Sequence, residues 1–173
     1  FENLCRESSR IGISTKSIPP FSGLSWVDNP SQQLQRAINY VSEKFKQDRI
    51  NPLTKPKLYP KRIKIGYISS DFYNFPTMRL LAGVLEAHDR KRFEIYAFSY
   101  TYRKNDEMRK RISSGVDHFI NVDGLTSKEI AQLIYSKNID ISIDLNGYTK
   151  NSRTEIFQYT MSPIQINYWP IND

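Results

Sequence analysis

The sequence predicts an α/β domain, a Rossmann-like parallel sheet flanked by helices, carrying an N-terminal helical extension. Two observations lead there. From residue 63 onward, short runs rich in β-branched and aromatic residues alternate with helix-length runs of 3.6 period, the pattern of β-α-β crossovers. The chain also has 173 residues, 39% of them hydrophobic and 25% charged, which is material for one real core and too little for two full lobes with a cleft between them.

Each element follows from local signals. Residues 1–28 mix Ser, Pro and Gly with scattered apolar positions and no sustained period, and so read as an irregular or partly helical lead-in. Asn29 suits an N-cap and Pro30 the first helical position. Leu34, Ala37, Ile38, Val41 and Phe45 then share one face, which predicts an amphipathic helix over 30–47. That helix packs on its own domain or joins a preceding module. Pro52, Pro56 and Pro60 block helix and favour extended backbone, making 48–61 a linker. The expected organisation is an extension and linker over 1–61 and a Rossmann-like lobe over 62–173.

Within the lobe, strands are predicted over 63–69, 93–99, 116–122, 139–145 and 164–169. Helices are predicted over 77–88, 105–113 and 126–137, with a last one near 153–159. Thr126, with Glu129 three residues later, forms a capping box. The 77–88 helix is expected to set Leu80, Leu81, Val84, Leu85 and His88 along one side. His88 closes that helix, where an imidazole suits the C-terminal dipole, and His118 reads as a core or edge residue of its strand.

Composition narrows the function. The single Cys5 allows no internal disulfide, and with only His88 and His118 no His/Cys cluster has zinc spacing, so no metal site is expected. A reducing, cytoplasmic setting fits. No apolar run approaches the roughly 20 residues that cross a bilayer, and the N-terminus lacks a secretory pattern, so no membrane partner is expected. The net charge of +7 raises the question of nucleic acid. Its distribution argues against it: Lys55, Lys57, Lys61, Arg62 and Lys64 sit in and beside the Pro-interrupted linker, while Arg90, Lys91 and Arg92 follow a helix end. A flavodoxin-like nucleotide binder is a further alternative, without the usual Gly-rich phosphate loop. Phe1 in place of Met, and a strand-like run leading to Asp173, suggest a piece of something longer.

In a right-handed parallel sheet, ligands bind at the C-terminal strand edge, which singles out loops 70–77 and 146–152. Asp71, at the end of the first strand, either orients a hydroxyl or caps its own loop. Gly147, between Asn146 and Tyr148, suits a turn at positive φ or close approach to a ligand, though Asn-Gly is in itself a turn signal. Tyr148 and Arg153 stack or pair with a ligand, or are a packing aromatic and a solvated cation. Arg79 is a weak substitute for a base, since a guanidinium keeps its proton near neutral pH.

Several motifs in order carry a family resemblance. Ser69-Ser70-Asp71-Phe72-Tyr73-Asn74-Phe75-Pro76-Thr77 resembles the strand-loop-helix of the protein O-linked N-acetylglucosamine transferases, which include the SPINDLY proteins (glycosyltransferase family 41). Asp144-Leu145-Asn146-Gly147-Tyr148-Thr149, followed by Arg153, Ile156 and Phe157, is similar to that family's Asn-Gly-Tyr-Thr segment. Ser162-Pro163-Ile164-Gln165-Ile166-Asn167-Tyr168 resembles its next strand, and Arg92-Phe93-Glu94-Ile95-Tyr96 and Asp117-His118-Phe119-Ile120 add to the match, which runs over 21–168.

The resemblance implies the N-terminal lobe of a two-lobed GT-B glycosyltransferase that moves N-acetylglucosamine from UDP-GlcNAc to Ser or Thr of a protein or peptide acceptor. No cofactor and no metal are implied. The C-terminal lobe would hold most of the uridine and diphosphate, and tetratricopeptide repeats would precede the present lobe. The sugar- and acceptor-facing positions would be Asn74, Pro76, Thr77, Asn146, Gly147, Tyr148, Thr149 and Arg153. Two departures stand out. Phe75 occupies the usual place of a His proposed as base, and a phenyl ring accepts no proton, which leaves Asp71 as the possible catalytic group and no assured one. After Tyr168 the chain reads Trp169-Pro170-Ile171-Asn172-Asp173 in place of the family's Leu-Gly-Tyr-Pro-Gly. The isolated chain is therefore expected to be inactive; the alternative is a non-catalytic binding or interaction domain descended from that fold.

Overall fold

The computed structural model describes residues 10–45, 60–101, 106–149 and 151–168. The chain divides into two compact units, one of Phe1–Asp48 with Tyr148–Lys150 and Pro170–Asp173, the other of Arg49–Gly147 with Asn151–Trp169.

In the first unit a short helix, α1 (Pro20–Gly23), precedes α2 (Pro30–Lys44). Asn29 caps α2 by accepting the Gln32 N–H at 3.1 Å, and Pro30 occupies the first turn, as the sequence predicts. The packing face is not the predicted one. Arg36 is 0% exposed and donates from Nε to the Ile11 carbonyl at 2.9 Å. Asn39 donates to the carbonyls of Gly12 and Ile13, and Gln33 to those of Gly23 and Val27. Leu34, by contrast, is 53% exposed, and Ile38 and Val41 are exposed with it. Residues 11–16 form turns and bends, so their carbonyls need donors, and the polar side of α2 supplies them. The helix stops at Lys44; positions 46–47 of the expected span, and the linker as far as residue 59, lie outside the described residues.

Among the described residues the second unit holds five strands, β1 (Ile63–Ser69), β2 (Phe93–Ser99), β3 (His118–Asn121), β4 (Ile141–Asp144) and β5 (Ile164–Asn167). They form one parallel sheet in the order β3-β2-β1-β4-β5. Helices α3 (Pro76–Ala87), α4 (Glu107–Gly115) and α5 (Ser127–Ser136) and a 3-10 helix (Thr154–Tyr159) flank it. Because successive strand residues point to opposite faces, Ile65, Tyr67, Ile95 and Ala97 pack with Leu81, Leu85 and Ile112 of α3 and α4. Ile68, Tyr96 and Phe98 pack with Ile130, Ile134 and Ile156 on the other side. This double-sided core is the Rossmann-like arrangement expected of β-α-β crossovers. Gly66 keeps β1 close to its neighbours, since a Cβ there would lie 3.1 Å from both Ile139 Cγ2 and Phe98 Cε2.

Several local expectations are corrected. On α3 the buried residues are Met78, Leu81, Ala82 and Leu85, whereas Leu80 is 70% exposed and Val84 is exposed. The 80/84 and 81/85 pairs both satisfy a helical period, and the packing of Met78 and Ala82 decides between them. The last helix is 3-10 rather than α, the tighter form that short connectors use. α4 begins at Glu107, capped by Asp106, later than expected. The predicted strand at 116–122 pairs only over His118–Asn121, and the one at 139–145 only over Ile141–Asp144. The Thr126–Glu129 capping box is present in full. His88 caps α3 with Nδ1 2.7 Å from the Val84 carbonyl, which can only accept, and Nε2 3.0 Å from the Tyr67 hydroxyl. His118 lies on the edge strand, stacked on Tyr96 and bonded to Glu94.

Candidate active site

The strand order fixes where a ligand site belongs. The chain proceeds from β1 outward through β2 to β3, then returns to place β4 on the opposite side of β1. The connections that leave the carboxyl ends of β1 and β4 run to opposite faces of the sheet, into α3 on one and the 3-10 helix on the other, and the crevice between these two strand ends is the topological switch point. The loops that follow these two strands are the ones the sequence singles out, and they meet there.

Asn146 joins them. It is 2% exposed, and its Oδ1 accepts from Ser69 Oγ (2.9 Å), Ser70 N–H (2.9 Å) and the Tyr100 hydroxyl (2.8 Å). Its Nδ2 donates to Ser70 Oγ (2.9 Å) and Asp71 Oδ2 (2.8 Å). One carboxamide thus ties together the ends of β1, β2 and β4. The turn that delivers it depends on Asp144, whose Oδ1 accepts the N–H groups of Asn146 (2.8 Å) and Gly147 (3.1 Å). Gly147 has φ +54°, the left-handed region where a side chain is strained, so the requirement for Gly is conformational. Thr154 Oγ1 donates to its carbonyl at 2.6 Å.

Burial sets the electrostatics. It pushes the Asp144 carboxyl up to about 6, against the two backbone N–H bonds that favour the anion, with the Glu155 charge adding to the rise. Burial likewise raises the Tyr100 phenol, which keeps it a donor to Asn146. Asp71 is half-buried; its carboxylate accepts from Ser70 Oγ at 2.7 Å and from Asn146, rather than from the backbone of its own loop as simple capping would have it.

The remaining predicted positions fall into three places. Asn74, Phe75, Pro76 and Thr77 form the outer part of the first loop and the start of α3. Asn74 N–H donates to Asp106 Oδ2 at 2.8 Å, and its Oδ1 accepts from Arg79 Nε at 3.1 Å. Burial pushes the Asp106 carboxyl up, but the N–H groups of Asn74, Arg109 and Met108 outweigh it and hold the group below the usual carboxylate range. Phe75 is the residue before the first turn of α3, 38% exposed, with its ring 5.5 Å from that of Tyr73. Arg153 is bound to α5: Nη2 donates to Ser127 Oγ at 2.7 Å and Nη1 to the Leu125 carbonyl at 2.8 Å, while its guanidinium lies 5.9 Å from the Tyr100 ring. Tyr148 and Thr149 group with the first unit, where the Tyr148 ring meets that of Tyr40 edge-on at 6.0 Å.

Sequence reasoning gave no role to Tyr100, Ser70, Asp144 or Arg109, although Ser70 and Asp144 stand within the two family motifs. Arg109 is 7% exposed, donates to the Phe72 carbonyl and Ser99 Oγ, and braces the first loop from α4. The strand-end rule that selected Asp71 would equally have selected Tyr100 and Asp144; nothing in the charge pattern marks Arg109 as buried. Among the described residues no three His, Cys, Asp or Glu side chains gather as a metal site requires.

The comparisons with known proteins agree with this architecture. Residues 31–170 match the family described as glycosyl transferase family 41. A probable UDP-N-acetylglucosamine–peptide N-acetylglucosaminyltransferase, SEC, of Arabidopsis thaliana is 34% identical across 96% of this chain. The UDP-N-acetylglucosamine–peptide N-acetylglucosaminyltransferase of Caenorhabditis elegans is 35% identical across 61%. The chain spans only 18% of the former and 9% of the latter. A solved structure of a mutant O-GlcNAc transferase from Thermobaculum terrenum shares the fold, with a TM-score of 0.76 and 24% identity over 96% of this chain and 31% of that one.

Proposed function

The chain belongs to glycosyl transferase family 41, and from that premise we propose that it is the N-terminal catalytic lobe of a longer transferase. That enzyme moves N-acetylglucosamine from UDP-GlcNAc to a Ser or Thr hydroxyl of a protein acceptor. The observation that carries the proposal is the pair of loops joined by Asn146 at the switch point, where an open α/β sheet binds its ligand. The predicted positions Asn74, Pro76, Thr77, Gly147 and Arg153 belong to the same proposal as the sugar- and acceptor-facing side, with Asn146 as the residue that joins their loops. A second lobe supplies most contacts to uridine and diphosphate, and preceding repeats present the acceptor. A cytoplasmic setting goes with this reading.

The reaction is inverting transfer. The acceptor oxygen forms a bond to the anomeric carbon as the bond from that carbon to the diphosphate oxygen breaks, and UDP leaves with the electron pair. No divalent ion enters the proposal; helix N-termini and cationic side chains meet the leaving charge. The hydroxyl proton needs a base. Phe75 cannot take it, and Asp144 is buried, so Asp71, half-exposed on the rim, is the group proposed for that part. Phe75 also favours a second reading, a lobe that binds acceptor but no longer transfers.

The isolated chain is expected to give no multiple-turnover transfer from UDP-GlcNAc to acceptor peptides, and the full-length protein to give it. Turnover by the chain alone would remove the need for a second lobe. A full-length protein that binds peptide but transfers no sugar would favour the second reading.

A further inference from the structure

Among the described contacts, five hydrogen bonds of the Asn146 carboxamide run to Ser69, Ser70, Asp71 and Tyr100. Oδ1 meets three donors, and both hydrogens of Nδ2 are directed at Ser70 Oγ and Asp71 Oδ2. A ligand could gain a bond from this carboxamide only by breaking one of these, at the expense of a buried partner. Asp71 is placed differently. Its Oδ1 accepts from Ser70 and its Oδ2 from Asn146, and because a carboxylate has about four lone-pair sites, two remain for a group arriving from the half-exposed side. Ser70 is itself bonded to Asn146 by both its N–H and its hydroxyl. Both oxygens of Asp71 are therefore fixed, directly or through Ser70, by a single residue 75 positions away in sequence.

We infer that Asn146 is a positioning residue whose function is to fix the Asp71 carboxylate on the rim, and that it does not itself contact the sugar. This rests on the transfer reaction proposed above, in which Asp71 receives the proton of the acceptor hydroxyl. In that step the O–H bond breaks, its electron pair goes into the new bond to the anomeric carbon, and the proton passes to a carboxylate oxygen already held in place. Orientation of this kind is what converts a nearby base into an effective one.

The test uses the full-length protein with two substitutions. Asp71→Asn keeps a carboxamide oxygen to accept from Asn146, gives up the bond accepted from the Ser70 hydroxyl, and removes the proton acceptor. Its unfolding midpoint should stay close to that of the unsubstituted protein while kcat falls by roughly 100-fold or more, the usual range for loss of a general base. Asn146→Ala keeps the carboxylate and releases it. In preparations shown to be folded by circular dichroism, kcat should fall by about 10-fold or more with the KM for UDP-GlcNAc changed less than about threefold, because the lost interaction acts in the transition state. Unchanged kcat in either variant overturns the inference, as does a rise in KM without loss of kcat in Asn146→Ala, which would mark a direct sugar contact. Asp71→Asn decides the matter even if Asn146→Ala does not fold. Absence of turnover in the unsubstituted protein defeats the transfer reading and this inference together; the outcomes above defeat the inference alone.

Discussion

Replacing Asn146 with Ala is expected to lower the stability of the sheet unit by about 3–5 kcal/mol, at the upper end for a single polar side chain. The substitution removes the acceptor of the Ser70 N–H and the Tyr100 hydroxyl, both buried, and the donor to Ser70 Oγ and Asp71. Each buried group left without a partner costs about 1–3 kcal/mol. Water entering the vacated space recovers part of that, which keeps the sum below the total for the five lost bonds. A native domain has roughly 5–15 kcal/mol in hand, so the variant should still fold at moderate temperature. Urea unfolding at unchanged m-value measures the loss. A shift under about 1 kcal/mol would mean that the carboxamide does not join the strand ends as described.

The second large effect is electrostatic and appears as a pH dependence. Burial raises the Asp144 carboxyl from 3.8 to about 6 in the folded protein. A carboxyl whose folded value is raised holds its proton more tightly when folded, so its contribution is most favourable below 3.8 and is lost as pH rises through 6. A rise of this size corresponds to about 3 kcal/mol at neutral pH. Asp144→Asn isolates it. The carboxamide oxygen can accept the same N–H bonds from Asn146 and Gly147 and carries no charge at any pH. The stability of Asp144→Asn relative to the parent should therefore increase between pH 4 and 7 by up to about 3 kcal/mol. Urea unfolding of both proteins across that range checks it, and a difference that does not vary with pH would remove burial as the controlling influence on this turn.

How far the fold was legible depends on which physics each feature expresses. The alternation of β-rich and helical runs located each described strand and helix of the lobe, though not the 3-10 form of the last, because period and composition are local properties. The Thr126–Glu129 box was found on the same grounds, since the cap and its partner lie within one turn. Choices between equivalent local patterns were not legible. Leu80 and Val84 compete with Leu81 and Leu85 on equal terms until Met78 and Ala82 find the sheet. The packing side of α2 was misread for a related reason: hydrophobic periodicity places an arginine outside, whereas Arg36 is drawn in by the Ile11 carbonyl 25 residues away.

The candidate site divides in the same way. Strand-end reasoning brought Asp71 and Asn146 to one edge of the sheet, and the family motifs named the loops. What neither supplied was the pairing itself, a direct bond across 75 residues, nor the bond that Asn146 accepts from Tyr100, a residue belonging to neither motif. A hydrogen bond between distant loops leaves no periodic trace. The position of Tyr148 and Thr149 with the first unit is of the same kind, since it depends on Tyr40 in α2.

The most direct test of the joined loops is the coupling between the two residues that close them. A double-mutant cycle on Asn146→Ala and Asp71→Ala, followed by urea unfolding, should give an interaction energy of about 1.5–3 kcal/mol, as expected for groups sharing one buried network. Single-variant losses that add to within about 0.5 kcal/mol would show instead that the two loops are stabilised independently and do not form a common rim.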